Sequence, residues 1–288
     1  MKTEVNRPAP YHCDDSTDLL PFFRQAFAQA SVSPDPLIAS ITVETTYSDP
    51  LAILEELHRP DDPICYLERP SGEFSIACGE YIAQSSFGGA DRFTKARKWA
   101  DSTFSRILIA GDHHSPGTGP TLFLSATFED ETEDRGAPPA LQVFLPRWQV
   151  LRKGGSHFVI INQSIDGKVD PERLVATFRH SVDRIRGMNH GLAGTVIQSS
   201  VQLGPPREEF DYERAVEKAL GRIHAGDISK VVLARKLTFE TSRPLRPFSI
   251  AHALRERFLE CFTFCLATPE QGIMVGATPE TLARVSGR

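Results

Sequence analysis

A lysine stands at the start of an apolar run that could form a buried strand. Lys230 is followed by Val231, Val232 and Leu233, within residues 228–235. Burial of such a strand on both faces would strip water from the amine and favour its neutral form, which can accept a proton from water. The alternative is a solvated lysine at a strand edge, and the local sequence alone favours that alternative. Lys230 is therefore a candidate general base, and a solvated lysine with no catalytic role is the alternative.

A carboxyl group follows a second apolar strand. This strand ends in Gly276 and Ala277, and the chain then turns through Thr278 and Pro279 to Glu280. Small residues let a ligand or another strand approach the backbone, and a carboxyl in an apolar pocket can stay protonated and act as a general acid. The alternative is a helix start, with Thr278 as the cap, Pro279 in the first turn and Glu280 at the positive end of the helix dipole. The local pattern alone favours capping.

The elements that must position these residues follow from hydrophobic periodicity and from turn signals. Helices are predicted over residues 15–30, 50–57, 90–107, 171–187, 210–224 and 247–258. Strands are predicted over residues 37–46, 64–82 (a hairpin), 121–128, 141–145, 148–152, 158–162, 195–201, 230–239 and 262–277 (a hairpin).

Successive strands with irregularly inserted helices predict the α+β class, in which antiparallel sheets are covered by helices. The strict βαβ rhythm of a doubly wound sheet is absent from the pattern. No segment has the composition of a linker, so residues 1–288 are predicted to form one domain. Within it, we expect a loose segment over residues 1–14, an amino-terminal subdomain over 15–165 and a second part over 166–288.

Composition excludes several classes of function. Hydrophobic residues make up 40% of the chain and charged residues 24%, as in ordinary folded proteins. The net charge of −5 provides no general attraction to nucleic acid or to an anionic membrane. No apolar run approaches the roughly 18 to 20 residues that cross a bilayer, and the amino terminus lacks a secretory signal. We therefore expect a cytoplasmic protein with no nucleic-acid partner and no membrane partner.

The two candidate segments resemble one paired signature. Lys-Val-Val-Leu-Ala-Arg begins at Lys230, and Gly-Ala-Thr-Pro-Glu-Thr-Leu begins about 45 residues later at Gly276. Together they resemble the motifs of chorismate-utilising enzymes, a family that includes isochorismate, salicylate, anthranilate and aminodeoxychorismate synthases. Residues 119–128 and 144–148 resemble the isochorismate synthase branch. The resemblance implies the anthranilate/aminodeoxychorismate synthase-like fold, with antiparallel β-sheets stacked in the core and helices on the outside.

The resemblance also implies roles for particular residues. Lys230 would activate the incoming water, and Glu280 would protonate the leaving hydroxyl of chorismate. Gly276, Ala277 and Thr278 would contact the substrate. Lysine at position 230 implies water rather than ammonia as the nucleophile, so the product is isochorismate, or salicylate if pyruvate is then lost.

The resemblance implies Mg²⁺ as the cofactor, but the family's metal ligands lie after the second motif, beyond residue 288, so no metal ligand is assigned in this chain. An acidic loop holds Asp130, Glu131, Glu133 and Asp134, and we interpret it as a solvated surface loop.

We therefore expect a fold that is incomplete at the carboxy terminus, with apolar strand edges near residue 273 exposed. The truncated chain is expected to be inactive alone, and a complementing carboxy-terminal fragment is a candidate partner. A salicylate synthase-type enzyme and a non-catalytic remnant serving as an interaction module remain alternatives. The residues do not specify whether the product enters menaquinone, siderophore or salicylate biosynthesis.

Overall fold

The computed structural model describes residues 18–46, 48–72, 74–113, 115, 117–131, 138–188, 201–267 and 272–285. Its helices are α1 (Leu20–Ala30), α2 (Pro50–Leu57), α3 (Arg92–Phe104), α4 (Pro171–Gly187), α5 (Tyr212–His224) and α6 (Pro247–Arg257). Its strands are β1 (Leu37–Thr45), β2 (Ile64–Arg69), β3 (Phe74–Gly79), β4 (Ala83–Phe87), β5 (Ile107–Gly111), β6 (Phe123–Ala126), β7 (Leu141–Leu145), β8 (Trp148–Lys153), β9 (Ser156–Ile165), β10 (Arg207–Glu208), β11 (Leu237–Thr238), β12 (Phe262–Ala267) and β13 (Ile273–Thr278).

These elements belong to two compact units. The larger unit comprises residues 1–194 and 247–288, and the smaller unit comprises residues 195–246. This division differs from the predicted boundary between residues 165 and 166. The smaller unit carries α5, β10 and β11, and every other helix and strand named above belongs to the larger unit.

An eight-stranded sheet runs through the larger unit in the order β13-β12-β2-β3-β8-β9-β1-β5. All neighbouring strands are antiparallel except β1 and β5, which are parallel. One face is covered by α1, α2, α4 and α6, whose apolar side chains join those of the sheet in a single core. The α+β class predicted from the sequence is confirmed.

The helices that cover this face begin at recognisable caps. Asp49 accepts the Leu51 N–H at the start of α2, and Asp170 accepts the Arg173 N–H at the start of α4. Each cap precedes a proline in the first turn, where a missing N–H costs nothing. The predicted apolar positions of α4 are the buried ones: Leu174, Phe178, Val182 and Ile185.

The other face of the large sheet carries a smaller apolar cluster. Ile76, Leu151, Phe158 and Ile160 are buried there, and Phe123 of β6 packs against them. Phe123 belongs to a second, three-stranded sheet in the order β4-β7-β6. Side chains of α3 pack against that sheet in a third cluster. Within the described part of the chain, no helix has the length and apolar character needed to cross a membrane.

The predicted strand over residues 230–239 is wrong for most of its length. Only Leu237–Thr238 forms a strand, and it pairs with Arg207–Glu208. Val232 is 83% exposed and Lys230 is also exposed. A strand must satisfy its backbone N–H and C=O groups through a partner, and no described strand pairs with residues 230–236. The described residues therefore do not supply the buried environment expected around Lys230.

The predicted strand over 195–201 lies almost wholly outside the described residues, as does the predicted loose segment over 1–14. Glu133 and Asp134 of the acidic loop also lie outside them.

Candidate active site

A row of side chains crosses five strands at one end of the eight-stranded sheet. Lys153 of β8 lies opposite Phe74 of β3, and Phe74 lies opposite Arg69 of β2. Phe262 of β12 lies opposite Thr278 of β13. The Arg69 guanidinium joins the two parts of the row, since its Cζ lies 5.7 Å from the centroid of the Phe262 ring. Cationic and aromatic side chains thus alternate along the row.

This row lines a pocket of about 550 Å³ within the larger unit. Leu67, Phe74 and Phe262 give the pocket an apolar surface. Residues 278–284 supply the remaining wall, which includes Glu280 and Arg284. The Glu280 side chain is exposed, and its backbone N–H donates to Thr278 Oγ1 at 3.3 Å. No described helix starts at Pro279, so Thr278 accepts this N–H in a turn and not at the start of a described helix.

The charges around the pocket are predominantly positive. Arg69, Lys153 and Arg284 line it together with one carboxylate, that of Glu280. Arg69 also forms an exposed ion pair with Glu260 at 3.3 Å. An apolar floor edged by several cations suits a small ring that carries carboxylates, because guanidinium and ammonium groups bind carboxylates through charge-assisted hydrogen bonds.

The structure brings only part of the predicted substrate-binding segment to this pocket. Thr278 and Glu280 line it. Ala277 lies opposite Thr263, on the alternate face of β13 from its neighbours Gly276 and Thr278. Gly276 lies opposite Phe264, and a Cβ built on this glycine would stand 2.5 Å from Cζ of the Phe264 ring. The small residue at position 276 therefore makes room for an aromatic ring of the neighbouring strand.

Substituting Gly276 by alanine is expected to destabilise the chain by about 1–3 kcal/mol, since the new methyl group must displace the Phe264 ring. Urea denaturation followed by circular dichroism measures this change. Gly187→Ala is a matched control, because a Cβ at that position meets nothing within 4 Å. Equal stability of the Gly276 and Gly187 variants would contradict the packing role.

Lys230 lies in the smaller unit, whereas all residues of the pocket lie in the larger one. Its side chain is exposed in the irregular segment between α5 and β11. The pairing of Lys230 with Glu280 across one substrate therefore stays a prediction.

Sequence reasoning missed Arg69 and Lys153. No local motif marks either residue, and 84 positions separate them in the chain (153 − 69). They come together because β2, β3 and β8 are consecutive neighbours in the sheet. The predicted 64–82 hairpin, with its turn at Pro70–Gly72, could have placed Arg69 beside Phe74, but the pairing of β3 with β8 is not encoded in either strand alone.

A buried ionic network holds the strand that carries Arg69. Arg255 of α6 binds both carboxylate oxygens of Asp49, at 2.9 and 2.7 Å, and Glu68 of β2 at 3.2 Å. Arg152 of β8 binds the other oxygen of Glu68 at 2.9 Å, and the Tyr66 hydroxyl also donates to Glu68. The network links α6, the start of α2 and two strands that line the pocket.

The electrostatic environment of the network favours the charged forms of Asp49 and Arg255. Burial alone raises the pKa of the Asp49 carboxyl, but hydrogen bonds and charge from Arg255 outweigh burial and bring that pKa below its usual value. Burial would also lower the pKa of the Arg255 guanidinium, and the contact with Asp49 instead raises it. Burial, followed by the charge of Glu68, raises the pKa of the Tyr66 hydroxyl, which therefore acts as a donor at neutral pH.

The described residues do not fit a magnesium site. No three His, Cys, Asp or Glu side chains among them converge where a metal ion could be held. Glu280 is the single carboxylate among the residues that line the pocket. Protein-bound Mg²⁺ needs oxygen ligands in near-octahedral geometry, which one exposed carboxylate does not provide.

The fold and the pocket define a class of protein, an α+β domain whose larger unit carries a pocket with an apolar floor and a cationic rim. The solved structure of MenF, the menaquinone-specific isochorismate synthase from Escherichia coli, has this fold, with a TM-score of 0.53 at 14% identity. The alignment covers 91% of this chain and 56% of that one. The family described as "Chorismate binding enzyme" matches residues 25–288, and the chain belongs to that family.

Two curated proteins are similar to shorter parts of the chain. Isochorismate synthase MenF of Pasteurella multocida is 33% identical over 93 residues, which are 32% of this chain and 22% of that protein. Anthranilate synthase component 1 of Thermus thermophilus is 33% identical over 121 residues, which are 41% of this chain and 25% of that protein. The matched segments thus cover a quarter or less of the length of either relative. Their names state different reactions, so the choice of reaction rests on the residues of the site.

Proposed function

We propose that this protein acts in the conversion of chorismate to isochorismate. The observation that carries the proposal is the pocket at Glu280, with its apolar floor and its cationic rim. Chorismate is a small unsaturated ring with one carboxylate on the ring, a second carboxylate on its enolpyruvyl side chain and a hydroxyl on carbon 4. The ring would lie against Phe74 and Phe262, and the carboxylates would bind Arg69 and Lys153.

The reaction exchanges one hydroxyl for another. A water molecule attacks carbon 2 and gives a proton to Lys230, the double bonds of the ring shift, and the hydroxyl on carbon 4 leaves as water with a proton from Glu280. One carbon–oxygen bond forms and one breaks, so the reaction needs no oxidant or reductant. Positioning of the base and the acid on the bound ring is expected to dominate the rate.

The 288-residue chain alone is proposed to bind chorismate without turning it over. Lys230 is exposed and is not among the residues that line the Glu280 pocket, which opposes its action as a base on a ring bound there. The described residues also do not fit the metal that the family resemblance implies. Isochorismate formed by the purified chain in the presence of magnesium would contradict this part of the proposal.

Binding of chorismate to the purified chain tests the pocket directly. Arg69→Gln and Lys153→Gln are each expected to raise the Kd of chorismate about tenfold, because each removes a charge-assisted contact. Isothermal titration calorimetry measures the change. Arg97→Gln and Lys98→Gln remove the same charges from exposed positions on α3 that do not line the pocket, and they are expected to leave the Kd unchanged. If both pairs of substitutions changed the Kd equally, chorismate would bind outside this pocket.

A further inference from the structure

We propose that a second pocket of the larger unit binds a small oxyanion. This pocket has a volume of about 260 Å³. It lies between α4, the residue that follows β3 and the residue that precedes β8. Its polar lining residues are Glu80, Arg147, His180, Ser181 and Arg184. None of its lining residues belongs to the Glu280 pocket. The proposal is therefore independent of the proposed function.

The buried ring of Trp148 forms part of the lining. Trp148 is only 4% exposed, and its Nε1 has no hydrogen-bond acceptor among the described residues. Gly79 leaves room for the ring, because a Cβ at Gly79 would stand 2.5 Å from Trp148 Cζ2. The indole signal of Trp148 can therefore report a ligand bound in this pocket.

The lining of this pocket is mainly cationic. Arg147 and Arg184 line the pocket with His180, and the one carboxylate of the lining belongs to Glu80. Glu80 Oε2 lies 2.8 Å from Arg147 Nε, so this carboxylate is already engaged by one of the two guanidinium groups. Two arginines against one glutamate leave a net positive balance. The lining therefore favours an anion over a cation or a neutral ligand.

The backbone at Glu80 supports the same interpretation. Its φ of +53° is the single positive value for a non-glycine residue among the described residues. Side chains other than glycine rarely adopt that conformation, and such residues concentrate at binding sites. Here the turn carries the carboxylate that pairs with Arg147 at the edge of the pocket. The chemical class expected is a single phosphate or carboxylate group, since the volume admits only a small molecule.

Titration of the purified chain with inorganic phosphate tests this site. The sequence contains two tryptophans, Trp99 and Trp148, so a ¹⁵N-labelled chain gives two indole signals, and Trp99→Phe assigns them. The Trp148 signal is expected to shift and saturate with a Kd of about 1 mM, while the Trp99 signal stays in place. Sodium chloride at equal ionic strength is expected to leave both signals unchanged.

Two arginines of α4 provide a test variant and its matched control. Arg184→Gln is expected to raise the Kd of phosphate about tenfold, because it removes a charged donor from the lining. Arg179→Gln removes the same charge from an exposed position of α4 outside the lining, and a change below about twofold is expected. The proposal is overturned if the Trp148 signal does not saturate, if chloride reproduces its shift, or if the two variants weaken binding equally.

Discussion

Glu280→Gln is expected to lower kcat for isochorismate formation by about 10²- to 10⁴-fold, with little change in KM. Glutamine keeps the size of the side chain but cannot donate the proton that the leaving hydroxyl needs. Because Glu280 is exposed at the rim of the pocket, this variant is not expected to lose stability. The measurement is steady-state kinetics with chromatographic detection of isochorismate, in a form of the protein that turns over chorismate.

Lys230→Ala is expected to lower kcat by a similar factor, because water would then attack without a general base. Lys236→Ala is the matched control, since Lys236 is an exposed lysine of the same segment that pairs with Glu209 at 2.9 Å. A rate loss in the Lys230 variant no larger than in the Lys236 variant would remove Lys230 from the mechanism. Loss of stability in the Lys230 or Glu280 variants without a specific loss of rate would favour a non-catalytic interaction module.

Arg255→Ala is expected to destabilise the chain by about 3–5 kcal/mol. The substitution leaves the carboxylates of Asp49 and Glu68 buried without their shared cation. Urea denaturation measures the loss in the free energy of unfolding. Arg257→Ala, two residues further along α6 and exposed, is expected to change stability by less than about 0.5 kcal/mol.

The same network predicts how stability depends on pH. The pKa of Asp49 is lower in the folded chain than in the unfolded chain, so the unfolded state binds the proton more readily. The stability that this carboxylate contributes is fully present above its unfolded pKa of about 3.9 and is lost as the pH falls through the lower, folded pKa. In Arg255→Ala, this loss below about pH 4 is expected to shrink or disappear. An unchanged pH profile would contradict the role of Arg255 in setting the Asp49 pKa.

Residue spacing and turn residues predicted the elements that are marked within one short segment of the chain. The helix predicted over residues 171–187 is α4, and the hairpin predicted over residues 64–82 is formed by β2 and β3 around a turn at Pro70–Gly72. The predicted strand over residues 230–239 is wrong for most of its length, because an apolar run does not specify which strand pairs with it. Apolar character alone therefore predicted burial that the described partners do not provide.

The same difference separates the residues of the candidate site that were predicted from those that were not. Glu280 and Thr278 were found because a motif contiguous in the chain carries them. Arg69 and Lys153 were not found, since they meet only through the register of successive antiparallel strands. The Arg255 network joins residues more than 180 positions apart, and no spacing rule connects such residues before the fold is known.

We propose that water adds to chorismate at carbon 2 while the hydroxyl on carbon 4 leaves, and mass spectrometry of the product formed in H₂¹⁸O measures where the new oxygen comes from. We expect isochorismate that carries one oxygen-18 atom, no release of pyruvate, and loss of this product in Glu280→Gln. Isochorismate without the label, or salicylate accompanied by pyruvate, would contradict it.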